Sequence, residues 1–348
     1  MLKTKKERII NIVLFIFTIL ILFIFFEIIV RAFFGPGRIQ DSNGNIPYIE
    51  DDELGYKMKP NFSGYLKSID YNTEFNTNAQ GFRGHDFNLL DKNVIFMIGD
   101  SFATGSGVEE NETSSYYLQQ ELKDKYKIYN LGVPGYSQRQ YVVQLENMLP
   151  VYNPKIILAY LYTGNDITDN CADLPDIEKR TGVYEKLKYT IKKSQLIVLI
   201  YRKLIVPFKY PQNLNFYIND PSVEECYEKT KEYIKKMQES ASKYNTVLIM
   251  IIIPREAQTI KEKEKELVEW YDNFENYDPI KFDLNIINKR ILNMCKELDI
   301  DCLDLTHIFK EKDGELHLYL KDGHWNREGH NLVSEEIGRY LNVNNYLT

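Results

Sequence analysis

The chain has 348 residues, of which 44% are hydrophobic and 27% charged, enough apolar material for a sizeable core and too much for a disordered protein. Its formal net charge is −7, and the cationic residues are scattered rather than striped. That excludes the basic face a nucleic-acid binder needs to neutralise phosphates, so no nucleic-acid partner is expected.

The N-terminus stands apart from the rest. Lys3, Lys5, Lys6 and Arg8 precede residues 9–26, which carry no charge at all. As a helix rising ~1.5 Å per residue this run spans about 27 Å, close to the ~30 Å hydrocarbon core of a bilayer. Glu27 and Arg31 are placed to reach the interface. A cleaved signal peptide would have a shorter apolar stretch and small residues at the cut, whereas bulky Ile28, Ile29 and Val30 follow here. Residues 1–34 are therefore expected to be a cytoplasmic tail and an uncleaved transmembrane anchor. The basic flank before the span, with Glu27, Asp41, Glu50, Asp51 and Asp52 beyond it, places the N-terminus in the cytoplasm and the body outside.

Residues 35–92 are rich in Gly, Asn, Tyr, Asp and Pro, with short alternating runs such as 71–76 that suit small strands. They read as an extracytoplasmic stalk or prelude. From residue 93 the pattern changes, and apolar runs at 94–98, 128–131, 156–161, 247–253 and 301–305 alternate with helical patterns at 114–125, 140–149, 223–244, 286–298 and 328–341. Such alternation predicts an α/β domain over 93–348, with helices covering both faces of a central parallel sheet of about five strands. Residues 166–221 form a long insertion between the third and fourth strands. Within it, 183–205 reads either as an amphipathic helix packed on the domain, or as a lid or a helix resting on the membrane surface.

Cys171 and Cys226 bracket an irregular stretch, while Cys295 and Cys302 lie seven residues apart where a helix gives way to a strand. Four cysteines allow three pairings, and a role as small core hydrophobes fits them equally well. No Cys-x-x-Cys or paired-histidine spacing suggests a zinc site, and His324 and His330, six apart, do not converge on one helix face. His85, His307 and His317, the last in a charged hairpin-like segment, suggest none either, and no metal or cofactor is expected.

The chemistry-bearing residues sit at strand ends. Gly99-Asp100-Ser101 follows the run 94–98 and puts a hydroxyl where a buried strand ends, the edge at which open α/β sheets bind ligands. Acyl transfer by serine needs a base for its proton, a carboxylate to hold the base and donors for the developing oxyanion. Asp322 and His324 lie in a polar loop just before a helix, where a carboxylate two residues from an imidazole can accept its Nδ1 proton. After the second strand comes Asn130-Leu131-Gly132-Val133-Pro134-Gly135, whose glycines can expose backbone N–H groups. After the third comes Thr163-Gly164-Asn165-Asp166, where an asparagine amide can donate beside them.

In order and spacing, these segments resemble the four sequence blocks of the SGNH hydrolase family, a branch of the GDSL esterases and lipases. The resemblance implies a three-layer α/β/α flavodoxin-like domain with strand order 2-1-3-4-5. It also implies Ser101 as nucleophile, His324 as base, and an oxyanion hole from the Ser101 and Gly135 N–H groups and the Asn165 amide. Many members place the acid three residues before the histidine. Here that position is Lys321, and Asp322 stands two before, an arrangement similar to the Asp-x-His of bacterial extracytoplasmic acyltransferases sharing this fold. The prelude resembles that of a membrane-anchored bacterial subgroup, through Leu54-Gly55-Tyr56-Lys57-Met58-Lys59-Pro60-Asn61 and Asn78-Ala79-Gln80-Gly81-Phe82-Arg83-Gly84. The expectation is a membrane-anchored extracytoplasmic serine esterase acting on O-acyl esters of glycans or lipids. The alternatives are an O-acyltransferase that acetylates a cell-surface or exported polysaccharide, served by a membrane-embedded acyl-donor partner, and a non-catalytic glycan-binding or scaffold module.

Overall fold

The computed structural model describes residues 5–34, 38–68, 71–123, 125–172, 196, 212–218, 220–272 and 277–347. Of the expected amphipathic segment 183–205, all but Leu196 lies outside them. The chain divides into two compact units, residues 1–37 with 177–210 and residues 38–176 with 211–348. The first contains helix α1 (Lys5–Phe34), whose stretch Ile10–Ile29 has a mean hydropathy of 3.2 and is nowhere buried. It is long and apolar enough to cross a membrane. The Leu196 N–H donates to the Glu27 carboxylate at 2.9 Å.

The second unit opens with five short strands, β1 (Arg38–Gln40), β2 (Tyr48–Asp51), β3 (Gly55–Met58), β4 (Ser63–Lys67) and β5 (Asn72–Asn76). β1, β4 and β5 make an antiparallel sheet, and β2 pairs with β3. In β5 the alternation buries Thr73 and Phe75 and leaves Asn72 and Glu74 in solvent, the pattern of a sheet with one covered face. The covering is the following domain. Leu66, Phe75 and Phe87 join the same apolar core as Phe96, and the Phe87 ring stacks on Tyr129 at 4.1 Å.

That domain is built on β6 (Val94–Ile98), β7 (Lys127–Asn130), β8 (Ile156–Tyr162), β9 (Val247–Ile253) and β10 (Asp301–Asp304). All are parallel, in the spatial order β10-β9-β8-β6-β7. Numbered one to five along the chain, they stand in the expected order 2-1-3-4-5. Between them come α2 (Ser101–Thr104), α3 (Ser114–Leu122), α4 (Gln138–Tyr152), α5 (Asp166–Asp169), α6 (Gln212–Tyr217), α7 (Glu224–Lys243), α8 (Glu256–Thr259), α9 (Lys261–Tyr271), α10 (Ile286–Leu298), α11 (Thr306–Leu316) and α12 (Arg327–Val343).

Strand periodicity divides the core in two. Phe96 and Ile98, Ile157, Ala159 and Leu161, and Met250 and Ile252 face Leu145 of α4, Ile234 and Met237 of α7 and Ile291 of α10. Ile95 and Met97, Leu158 and Tyr160, and Ile249, Ile251 and Ile253 face Leu118 of α3 and Val333, Ile337 and Leu341 of α12. Every second residue serves the opposite layer, so the inner strands β6, β8 and β9 are apolar without interruption, while the edge strands β7 and β10 also carry Lys127, Asn130, Asp301 and Asp304. Besides the short helices α2, α5, α6 and α8, two longer ones were not read from the sequence, the charged α9 and α11, whose end at Leu316 leaves His317 with φ 49° at the start of the hairpin that follows. Cys171 and Cys226 form a disulfide across the insertion, while Cys295 and Cys302 are free thiols with their Sγ atoms 3.0 Å apart.

Candidate active site

Strand β6 lies between β7 and β8, so the loops leaving the carboxyl ends of all three strands are neighbours. Ser101 is the first residue of α2, directly after the end of β6. The buried Asp100 caps that helix, its carboxylate accepting the Phe102 N–H at 2.9 Å. The β7 loop is laced to the same strand end, with the Leu131 N–H donating to Met97 O at 2.8 Å and the Val133 N–H to Gly99 O at 3.0 Å. Gly132 sits so close to α2 that a Cβ there would lie 2.4 Å from the Thr104 nitrogen. Gly135, three residues further on, has φ +82°, a conformation that costs glycine little and other residues more. Neither its N–H nor that of Ser101 donates to another group among the described residues.

Asn165 leads out of β8 into α5. Its amide donates to the Asp169 carboxylate within its own loop. The loop is held from beneath by Asp166, which accepts the Gln138 amide at 2.8 Å and the Tyr162 N–H at 3.1 Å. Asp166 is fully buried, and that burial, aided by the charge of Asp100, pushes its pKa well above the usual carboxylate range. The Cys171–Cys226 disulfide joins the end of this segment to α7.

Asp322 and His324 come from a hairpin spanning 318–326. The Asn326 N–H donates to Leu318 O at 3.0 Å and the Leu320 N–H to His324 O at 2.8 Å, while buried Trp325 packs edge-on against Phe102 at 4.8 Å. This anchoring sets His324 Nε2 2.9 Å from Ser101 Oγ, across 223 positions of sequence. Asp322 Oδ1 is 3.1 Å from His324 Nδ1 and also accepts the His324 backbone N–H at 3.1 Å. Nδ1 has no aligned hydrogen bond, so the ring and the carboxylate meet as a close electrostatic pair with Oδ1 shared between two N–H groups. The two-residue spacing is the cause, since an aspartate at that distance is drawn into a local turn with the backbone N–H.

The electrostatics follow from these contacts. Burial lowers the His324 pKa, but Asp322, through direct contact and charge, and Asp100 outweigh it, and the net effect is a rise above 6.5. For Asp322 burial acts upward, and His324 together with the Tyr71 hydroxyl brings the carboxyl below its ordinary range. Burial lifts Asp100 to about 6 against the opposing Phe102 N–H and His324. A serine hydroxyl on an imidazole that faces a carboxylate can lose its proton to that ring as it attacks an electrophilic carbonyl.

Ser101, His324 and Asp322 are joined by direct contacts, whereas Gly135 and Asn165 stand at adjacent strand ends with no hydrogen bond to them among the described residues. Three residues of the prelude also hold these loops. The Tyr56 hydroxyl donates to Pro134 O at 2.6 Å, Arg83 donates to the carbonyls of Thr104, Gly105 and Val108, and the Tyr71 hydroxyl donates to Asp322 Oδ2 at 2.8 Å. Tyr56 and Arg83 stand in the two prelude segments singled out by resemblance. Nothing in the sequence marks Tyr71.

A family model described as the GDSL-like lipase/acylhydrolase family matches residues 97–332. No curated protein matches the chain in sequence. Among solved structures, that of TesA is similar at 12% identity and a TM-score of 0.43, covering 71% of this chain and 97% of that one. The acetyl xylan esterase AlAXEase is similar at 12% identity and 0.43, covering 71% and 99%. The psychrotrophic esterase EstA from Pseudoalteromonas sp. is similar at 14% identity and 0.41, covering 72% and 100%.

Proposed function

The chain belongs to the GDSL-like lipase/acylhydrolase family as an ester hydrolase of GDSL type, and we propose that its reaction runs through Ser101, His324 and Asp322. The observation that carries this reading is the 2.9 Å contact between Ser101 Oγ and His324 Nε2, with Asp322 at the other ring nitrogen. In the proposed cycle the Nδ1–H tautomer faces Asp322, leaving Nε2 to take the Ser101 proton as Oγ attacks the acyl carbon. The oxyanion is met by the Ser101 and Gly135 N–H groups and by the Asn165 amide once it turns from Asp169. The imidazolium returns its proton to the leaving alcohol, an acyl-serine remains, and water activated by the same ring releases the acid. Because the base must be neutral, turnover should rise with pH through the elevated His324 pKa.

The proposed setting is outside a membrane, with α1 as anchor and O-acyl groups of glycans or lipids as substrates. The length and hydropathy of α1 and the basic residues before it support that topology. The Asp-x-His spacing favours a second reading, in which a sugar hydroxyl rather than water resolves the acyl-enzyme.

The test is labelling of the detergent-solubilised full chain by a fluorophosphonate, followed by incubation with an acyl donor with and without oligosaccharides. Labelling of wild type and not of Ser101→Ala, with free acid as product, is expected, together with a turnover loss of about 10³-fold or more in the variant. An unlabelled wild type would sink the nucleophile assignment, and acylated sugar as main product would replace the hydrolase by the transferase.

A further inference from the structure

Asp322 is held from three directions, and only two belong to its own loop. The His324 backbone N–H and ring both address Oδ1, at 3.1 Å each. Oδ2 accepts the hydroxyl of Tyr71 at 2.8 Å, from a residue 251 positions away at the entrance to β5. The Tyr71 ring is half-buried and packs against the apolar core, and its edge comes so close to Gly107 that a Cβ there would lie 3.3 Å from it and 2.4 Å from Leu320 of the hairpin. The hydroxyl is thus delivered by a ring seated on the core.

A carboxylate turns about its terminal bond over a broad, shallow well, so one oxygen shared by two N–H groups does not by itself fix the plane in which the carboxylate faces the imidazole. A donor on the second oxygen does. We propose that Tyr71 is the positioning residue of this site: its hydroxyl locks the Asp322 carboxylate with Oδ1 toward His324 Nδ1, so that the prelude completes a Tyr71–Asp322–His324–Ser101 relay. The inference rests on the assignment of Asp322 and His324 made above and deepens it. It also gives the 38–92 segment a part in the chemistry, alongside the contacts of Tyr56 with the Gly135 loop and of Arg83 with the segment after Ser101.

The charged groups around His324 are Asp322 on its own hairpin and Asp100 at the helix cap, while His330 behind it is buried and neutral. A lost Tyr71 hydroxyl leaves Asp100 untouched and frees Asp322, so the His324 pKa should fall toward its ordinary value.

The experiment compares wild type, Tyr71→Phe, Asp322→Asn and the double variant as detergent-solubilised full chains. The His324 ring is titrated by ¹⁵N NMR, with its signals assigned by His324→Gln, and fluorophosphonate labelling rates are measured in parallel. Tyr71→Phe keeps the core-packed ring and removes only the oxygen. The expected results are a His324 pKa lowered by about half a unit or more and labelling slowed about tenfold, as one charge-assisted hydrogen bond warrants. In the Asp322→Asn background the same substitution should change neither. The inference is overturned if Tyr71→Phe leaves the His324 titration where wild type has it, or if its effects are equal in both backgrounds, as a merely structural role would give. The titration needs no turnover: if wild type fails to label, the reading of Ser101 falls while the NMR comparison still decides whether Tyr71 acts on His324 through Asp322.

Discussion

Replacing Arg83 by methionine tests how the prelude holds the start of the site. The guanidinium is 1% exposed and donates through Nη1 to Thr104 O at 3.2 Å and Gly105 O at 2.5 Å, and through Nη2 to Glu74 O at 2.9 Å and Val108 O at 2.7 Å. Burial pulls its pKa down, against the charges of Glu110, Glu109 and Glu112, to about 10, so it is cationic at neutral pH. Each bond from a charged donor is worth about 1.5–3 kcal/mol, which summed over four gives roughly 6–12 kcal/mol. That sum overstates the loss, because methionine sheds the cost of burying a cation and water can reach some of the freed carbonyls. A net destabilisation of about 3–5 kcal/mol is expected, a large share of the ~5–15 kcal/mol that holds a domain together. Arg83→Lys, with three donors and no planar fork, should lose about half as much. Urea denaturation of the detergent-solubilised chain measures both, and fluorophosphonate labelling under conditions where the lysine variant stays folded measures the effect on Ser101. Because Thr104 ends the helix that begins at Ser101 and Gly105–Val108 directly follow it, labelling should slow by about tenfold or more. If Arg83→Met lies within about 1 kcal/mol of wild type and labels at the same rate, the clamp is refuted.

Two further perturbations address separate parts of the structure. Gly135→Ala places a Cβ at φ +82° and 2.7 Å from the Tyr56 hydroxyl, so it should cost about 1–2 kcal/mol of stability and, by turning the 135 N–H, about 10²-fold in kcat; recovery of both in a Tyr56→Phe background would show the clash, not the backbone, to be responsible. His330 is buried, accepts the Ser114 N–H at its Nδ1 at 3.2 Å, and has its pKa driven by burial to about 3. The unfolded chain therefore binds the extra proton between about pH 6.5 and 3, and this contribution is full above 6.5 and lost as pH falls. At pH 4.5 the loss amounts to about 2–3 kcal/mol, whereas Asp100, raised to about 6, acts in the opposite sense as pH rises through that value. The difference in urea midpoint between wild type and His330→Gln should shrink steadily from pH 7 to 4.5, and a difference independent of pH would refute the assignment.

The sequence reveals the sheet and conceals the relay for one physical reason. A strand buried on both faces writes itself as a continuous apolar run, so Val94–Ile98, Val247–Ile253 and their order could be read directly, and Ser101, Gly135 and Asn165 then fell at strand ends in sequence, whereas His324, expected at one too, stands in a hairpin beyond α11. Helix α9 is charged over its first six residues and packs only Leu267, Trp270 and Tyr271 of its last turns on the core, so its apolar stripe is too short to read. Cys171 and Cys226 offered one of three pairings, and only the fold brings them across 55 positions. Tyr71 is harder still. It lies in a polar segment, and its one decisive partner is defined by where a hairpin 251 residues later presents an oxygen. The two-residue step from Asp322 to His324 links the legible part to the hidden one. At that spacing Oδ1 is claimed by the backbone as well as by the ring, so the carboxylate loses the local support that would orient it toward Nδ1 alone. A short acid–base spacing thus calls for a donor from elsewhere in the chain, and the only element reaching Oδ2 among the described residues is the prelude.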